Sequence, residues 1–203
     1  MRFFLTLLTS MLLFIAATQQ AYGKTIVVMG DSLSAGYGIP LEKAWVTILN
    51  QRLEREHPDW HLVNKSISGE TTFGGLSRID NVLKQYQPGI VIIELGGNDG
   101  LRGLPLANSK ANLKSMIDKA KATHAKVLLV GIRLPEYYGS RINVELQKMY
   151  RDIASETHIK LLPFLLIALE NHPEDFQSDG IHPSVAAQPL IASTLYNALK
   201  PLL

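Results

Sequence analysis

Runs of consecutive apolar residues alternate along this chain with segments whose apolar residues lie three or four positions apart. The runs at residues 24–29, 90–95 and 127–132 carry aliphatic side chains at successive positions. This pattern indicates strands that are buried on both faces, as in a parallel sheet. Two shorter runs, residues 62–64 and 159–163, bring the number of predicted strands to five.

The segments between these runs have the spacing of amphipathic helices. Residues 44–56 form the first predicted helix, with an apolar face opposite a charged one, and residues 186–199 form the last, although Pro189 leaves its start uncertain. Three more helices are predicted around the apolar sets Leu76, Ile79, Leu83 and Tyr86; Leu113, Met116, Ile117 and Ala120; and Leu146, Met149, Tyr150 and Ile153. Strands that alternate with helices predict an α/β fold, a three-layer α/β/α sandwich around a parallel sheet.

Four short polar segments follow the predicted strands, and the first of them holds a candidate nucleophile. Gly30-Asp31-Ser32-Leu33-Ser34 comes directly behind the first strand, where a serine hydroxyl would emerge from the end of the sheet. We interpret Ser32 as the nucleophile. The alternative is that Asp31, Ser32 or Ser34 only caps a following helix.

The other three segments are Gly69 with its neighbours, residues 96–99 (Gly-Gly-Asn-Asp) and residues 179–183 (Asp-Gly-Ile-His-Pro). All four are expected at the carboxyl edge of the sheet, where open α/β sheets bind ligands. Taken alone, residues 96–99 are also typical of an ordinary turn.

These residue types fit acyl transfer. A serine hydroxyl needs a base, and the base needs a partner that fixes its tautomer; His182 and Asp179, on one short loop, suit these roles. The backbone N–H groups of Ser32 and Gly69 and the side-chain amide of Asn98 could bind the oxyanion. No two histidines occur at ligand spacing on a predicted helix, which makes a metal hydrolase an unlikely function.

Residues 1–23 differ from the rest of the chain. Arg2 precedes an apolar run that ends at Ala17, and small residues stand at Ala21 and Gly23. This pattern predicts a signal peptide that is cleaved after Gly23, which leaves residues 24–203 as one domain in the periplasm or outside the cell. An uncleaved signal anchor is the alternative.

Composition narrows the function further. The chain has no cysteine, which excludes disulfides, thiolate chemistry and a lipoprotein anchor. One of its 20 basic residues, Arg2, lies in the predicted signal peptide, so 19 basic residues face 18 acidic ones in the remainder. This balance argues against a nucleic-acid partner.

The four segments, in this order, resemble the conserved blocks of the SGNH or GDSL hydrolase superfamily. Residues 94–103 and 132–135 (Ile-Arg-Leu-Pro) also resemble the bacterial family of periplasmic multifunctional thioesterases, proteases and lysophospholipases. The resemblance implies a flavodoxin-like five-stranded sheet, no cofactor, and Ser32, His182 and Asp179 as the catalytic residues. It also implies an oxyanion hole formed by Ser32, Gly69 and Asn98.

The implied activity is hydrolysis of acyl thioesters, aryl and alkyl esters and lysophospholipids by a monomer without a stable membrane anchor. In that family the loop after the Asn block moves when substrate binds, which here corresponds to residues 100–105. We expect flexibility at Gly100 and Gly103 in this loop. The expected substrate-binding residues are Gly100, Leu101, Leu104, Leu134 and Pro135.

Two other functions remain open from the sequence. One is a carbohydrate O-deacetylase of the same superfamily, whose sugar site would be expected to present aromatic platforms; the chain has two tryptophans, Trp45 and Trp60. The other is a non-catalytic periplasmic carrier of acyl chains or lipids. A Ser32-dependent esterase activity distinguishes an enzyme from a carrier, and the acyl length that it prefers distinguishes a lipolytic esterase from a deacetylase.

Overall fold

The fold is centred on a parallel five-stranded sheet, seen in a computed structural model that describes residues 24–203. The strands are β1 (Lys24–Gly30), β2 (Trp60–Asn64), β3 (Ile90–Glu94), β4 (Lys126–Val130) and β5 (Lys160–Leu162). They lie in the order β2-β1-β3-β4-β5, so the strand order reverses between β1 and β3. The predicted signal peptide, residues 1–23, lies outside the described residues.

Helices cover both faces of the sheet, because the strands bury side chains in both directions. In chain order the helices are α1 (Ser32–Ala35), α2 (Trp45–Glu56), α3 (Thr72–Tyr86), α4 (Gly97–Leu101), α5 (Leu106–Ala122), α6 (Ser140–Thr157) and α7 (Gln188–Leu199). Ile26 and Val28 of β1 pack with α2 and α7, whereas Val27 and Met29 pack with α3, α5 and α6. The predicted α/β/α sandwich is confirmed.

Several boundaries differ from the sequence prediction by one or two residues, and three of them have a clear local reason. Strand β3 ends at Glu94 because Gly96 turns the chain with a φ of 121°. Strand β4 ends at Val130 because Gly131 passes so close to the neighbouring segment that an added Cβ would lie 2.2 Å from the Pro163 carbonyl oxygen. Helix α7 begins at Gln188, with Pro189 in its first turn, where a missing N–H costs no hydrogen bond.

Five short 3₁₀ helices make up the remaining helical structure of the described residues. Four lie in loops at the carboxyl edge of the sheet, at Leu41–Lys43, Glu136–Tyr138, Ile167–Leu169 and Pro173–Asp175, and the fifth, Lys200–Leu202, follows α7. No helix within residues 24–203 is long and apolar enough to cross a bilayer.

Candidate active site

The Ser32 segment begins the one-turn helix α1 at the end of β1. The Asp31 side chain caps this helix by accepting a hydrogen bond from the Leu33 N–H at 3.0 Å, and Gly36 ends it with a φ of 77°. Helix capping at this segment is therefore done by Asp31. The Ser32 hydroxyl does not cap the helix and points toward the loop that follows β5.

Ser32, His182 and Asp179 form a continuous hydrogen-bonded series. The Ser32 Oγ lies 2.8 Å from His182 Nε2, and His182 Nδ1 lies 2.7 Å from Asp179 Oδ2. A carboxylate at Nδ1 favours the tautomer that carries its proton there, so Nε2 can accept a proton from the Ser32 hydroxyl. The structure thus brings together the three residues that the sequence analysis selected.

The loop that carries His182 is held by its own backbone. Asp179 Oδ1 accepts hydrogen bonds from the N–H groups of Ile181 (2.9 Å) and His182 (3.0 Å), and Gly180 adopts a φ of 68°. Partial burial raises the pKa of Asp179, but the hydrogen bonds from His182 and Ile181 outweigh this effect and lower that pKa to about 2. Asp179 is therefore a carboxylate at neutral pH.

Tyr37 and Gln177, which were not predicted from the sequence, join this loop to the segment that carries Ser32. The Tyr37 ring packs against the His182 ring with centroids 4.4 Å apart. The Gln177 amide donates to the carbonyl groups of Tyr37 (2.9 Å) and Pro183 (3.1 Å). Because these contacts link segments 140 residues apart, no local sequence signal indicates them.

Two of the predicted oxyanion donors are backbone N–H groups. Those of Ser32 and Gly69 have no acceptor among the described residues. Gly69 adopts a φ of 78°, which favours glycine, and its carbonyl accepts a hydrogen bond from Arg102 Nη2 at 2.8 Å.

The third predicted oxyanion donor, Asn98, lies in the first turn of α4. Its Nδ2 donates to Asp31 Oδ2 at 3.0 Å, which uses one of the two amide hydrogens. Residues 96–99 therefore form the start of a helix rather than a simple turn.

Three carboxyl groups are buried behind these residues. Asp99 accepts from the Thr72 N–H (2.9 Å), the Thr72 hydroxyl (2.5 Å) and the Ser109 hydroxyl (2.9 Å), which fixes α4 against α3 and α5. Burial raises the pKa of Asp31 to about 6, although the Leu33 N–H, His182 and Asn98 each lower it. Burial, and next the charge of Asp31, raise the pKa of Glu94 well above its ordinary range. No three His, Asp or Glu side chains cluster as a metal site in the described chain.

A cavity of about 1100 Å³ opens beside Ser32 and His182. Its apolar lining includes Leu101, Ile132, Leu134, Pro135, Phe164 and Leu166.

Two of the expected substrate-binding residues, Gly100 and Leu104, do not belong to this lining. Gly100 is part of α4 and packs behind Leu134, where an added Cβ would lie 3.0 Å from Leu134 Cδ1. Gly100 thus lies inside a packed helix, and the flexibility expected there remains a prediction.

Comparisons with known proteins identify the family and several relatives of this chain. Residues 28–189 match the model of the GDSL-like Lipase/Acylhydrolase family. Over 197 residues the chain is 45% identical to Esterase TesA of Pseudomonas aeruginosa, which covers 97% of this chain and 98% of that protein. It is 42% identical over 182 residues to Thioesterase 1/protease 1/lysophospholipase L1 of Escherichia coli K12, covering 90% and 86% of the two chains. The crystal structure of TesA superimposes with a TM-score of 0.86 at 45% identity, over 89% of this chain and all of that one.

Proposed function

This chain belongs to the GDSL-like lipase/acylhydrolase family and is a carboxylic ester and thioester hydrolase, and we propose that Ser32 is its nucleophile. The observation that supports this role is the hydrogen-bonded series from Ser32 Oγ through His182 to Asp179, with distances of 2.8 and 2.7 Å. Ser32 and His182 also line the cavity, which is large enough for an acyl chain. The relatives named above include an esterase and a thioesterase/lysophospholipase.

The reaction that we propose for these groups is acyl transfer in two steps. Ser32 Oγ attacks the acyl carbon while His182 Nε2 takes its proton, and the oxyanion binds the N–H groups of Ser32 and Gly69 and the free amide hydrogen of Asn98. His182 then returns the proton to the departing alcohol or thiol, which leaves an acyl ester on Ser32. Water, activated by His182, hydrolyses this acyl-enzyme and restores the serine.

Asp179 supports both steps without changing its protonation. Since its pKa is about 2, it remains a carboxylate throughout and stabilises the imidazolium that forms on His182 in each step.

The cavity favours acyl chains over sugars. The apolar lining residues named above suit a hydrocarbon chain. Trp45 and Trp60 are 1% and 7% exposed, so neither presents a ring on which a sugar could stack. We therefore place lysophospholipids and medium or long acyl esters ahead of acetylated carbohydrates as substrates, and expect the enzyme to act as a monomer.

The test is hydrolysis of p-nitrophenyl esters from acetyl to palmitoyl by the mature chain from Lys24, beside Ser32→Ala. Removing the nucleophile should lower kcat on the order of 10⁴-fold or more. Ser77→Ala, which removes a hydroxyl from the exposed face of α3, is the matched control and should act like the wild type. A fluorophosphonate probe should add its mass to the peptide that contains Ser32.

Two results would count against the proposal. Turnover that survives in Ser32→Ala would mean that another group is the nucleophile. A sharp preference for acetyl esters would favour the deacetylase function instead.

We further propose that residues 1–23 direct export and are removed, which would leave the enzyme in the periplasm or outside the cell. This proposal has its support in the cationic start and short apolar run of the sequence. N-terminal sequencing of the protein recovered from the periplasm of an expressing Gram-negative cell should begin at Lys24. Recovery of the intact chain with the membrane fraction would favour the signal anchor.

A further inference from the structure

Glu94 is a fully buried carboxyl that the reaction above does not use. It is the last residue of β3, pairs in register with Gly30 and has no solvent exposure. A Cβ on residue 30 would lie 2.6 Å from Glu94 Oε2, so the glycine beside the nucleophile segment leaves the space that this carboxyl occupies. Glu94 is thus packed directly under the start of α1.

The two oxygens of Glu94 have different environments. Oε2 accepts hydrogen bonds from the Ser34 hydroxyl at 2.6 Å and from the Asp31 N–H at 3.3 Å. Oε1 is buried and has no hydrogen-bond partner among the described residues. This asymmetry fits a carboxylic acid whose proton is on Oε1 and whose Oε2 acts as a carbonyl acceptor.

The surroundings of Glu94 also disfavour a second negative charge. Asp31, on the nucleophile segment, is buried and accepts from the Leu33 N–H and the Asn98 amide. Tyr150 of α6 and Asp99 of α4 are the other acidic groups near this pair, and the charge of His182 favours the ionised form of Asp31. All hydrogen bonds to the two carboxyls within residues 24–203 come from neutral N–H and O–H groups, so two charges would be poorly compensated.

We propose that Glu94 remains protonated at neutral pH and is a positioning residue for the nucleophile. Its Oε2 holds the Asp31 N–H and the Ser34 hydroxyl, which lie on either side of Ser32 in the sequence. Because Glu94 is uncharged, Asp31 is the carboxylate of the pair and keeps its hydrogen bond to Asn98. The inference rests on the proposed function, since Ser32 and Asn98 are the groups that Glu94 positions.

The first test compares two substitutions of Glu94. Glu94→Gln preserves the shape and the neutral carbonyl acceptor, and should keep kcat for a p-nitrophenyl ester within about threefold of the wild type. Glu94→Ala removes the acceptor and should lower kcat about 100-fold with a smaller change in KM, the size of loss expected when a reacting group is misplaced by about 1 Å. Circular dichroism confirms that each variant is folded before the rates are compared.

The second test observes the proton directly and does not depend on turnover. The infrared spectrum of the wild type at neutral pH should show the C=O stretch of a buried protonated carboxyl, and Glu94→Gln should lack it. Glu70→Gln, which neutralises a carboxyl that is paired with Arg78, is the matched control and should retain the band.

The outcomes separate the two proposals. The inference is wrong if the wild type lacks this band, if Glu94→Gln retains it, or if Glu94→Gln loses as much activity as Glu94→Ala. If the wild type hydrolyses no ester but shows the band, the proposed function fails while the protonation of Glu94 stands.

Discussion

Replacing Asn98 by alanine tests the oxyanion hole most directly. Asn98 Nδ2 has two hydrogens, of which one is donated to Asp31 Oδ2 at 3.0 Å and the other is free to meet the oxyanion. Removing one such donor costs about 3 kcal/mol of transition-state stabilisation. That loss corresponds to a kcat roughly 150-fold lower. KM should change little, because the donor acts on charge that develops in the transition state.

The same substitution removes one of the hydrogen bonds that lower the pKa of Asp31. Burial already raises the pKa of Asp31 to about 6, and loss of the Asn98 hydrogen bond should raise this pKa further. A lost hydrogen bond of this kind costs about 1 kcal/mol in the free energy of unfolding. We therefore expect a large kinetic effect beside a small loss of stability.

The assay is steady-state hydrolysis of a medium-chain p-nitrophenyl ester, with calorimetric unfolding of the same preparations. Asn108→Ala, which removes an exposed amide from α5, controls for loss of an asparagine side chain and should leave both measurements unchanged. A kcat for Asn98→Ala within threefold of the wild type would refute the role of Asn98. A change confined to KM would point instead to substrate binding.

Two further predictions concern the base and the cavity. Asp179→Asn should lower kcat by on the order of 10³ to 10⁴-fold, because an amide no longer fixes the His182 tautomer. Folding lowers the pKa of Asp179 from an ordinary 3.8 to about 2. The ionised Asp179 side chain therefore adds to the free energy of unfolding above pH 3.8, and this addition is lost as the pH falls through 2. Acid unfolding of the wild type, followed by circular dichroism, should therefore show a transition in that range that is weaker in Asp179→Asn; identical acid transitions would contradict the assignment. Gly100→Ala should press Leu134 toward the cavity and lower the ratio of long-chain to short-chain kcat/KM by roughly tenfold, as a change of about one methylene in an apolar pocket would. An unchanged chain-length profile would show that Leu134 moves away from the cavity instead.

The sequence predicts the fold well because the information is local. Continuous apolar runs such as residues 90–95 have no exposed face, and this pattern predicts central strands. The polar segments that follow these strands lie at the carboxyl edge of the sheet, as predicted. Glu94 is the exception within such a run. A charged residue in a buried strand, next to the polar segment, is a signal that the sequence analysis could have used.

The parts that the sequence could not predict depend on contacts between distant segments. Whether Gly100 or Leu101 faces the cavity is decided by the orientation of α4, and that helix is too short to have an apolar period of its own. Its orientation is fixed by Asp99, which accepts from Thr72 and Ser109 on two other helices. Only the three-dimensional structure shows that Leu101 lines the cavity and that Leu104 does not.

Ser32 and Asn98 are held in place by different contacts from those that hold His182. Ser32 and Asn98 follow β1 and β3, which are neighbours in the sheet, so their positions are set by the strand register and by the buried Asp31. His182 comes from a long loop after the edge strand β5 and has no such support. Its position depends on hydrogen bonds within residues 177–183, where Gln177 N–H donates to the His182 carbonyl at 2.7 Å, and on the contacts with Tyr37. The proposed nucleophile and Asn98 thus follow paired strands of the sheet, whereas the proposed base depends on its own loop and on Tyr37. Disturbance of the Gln177 or Tyr37 contacts should therefore impair proton transfer before it affects the proposed oxyanion hole.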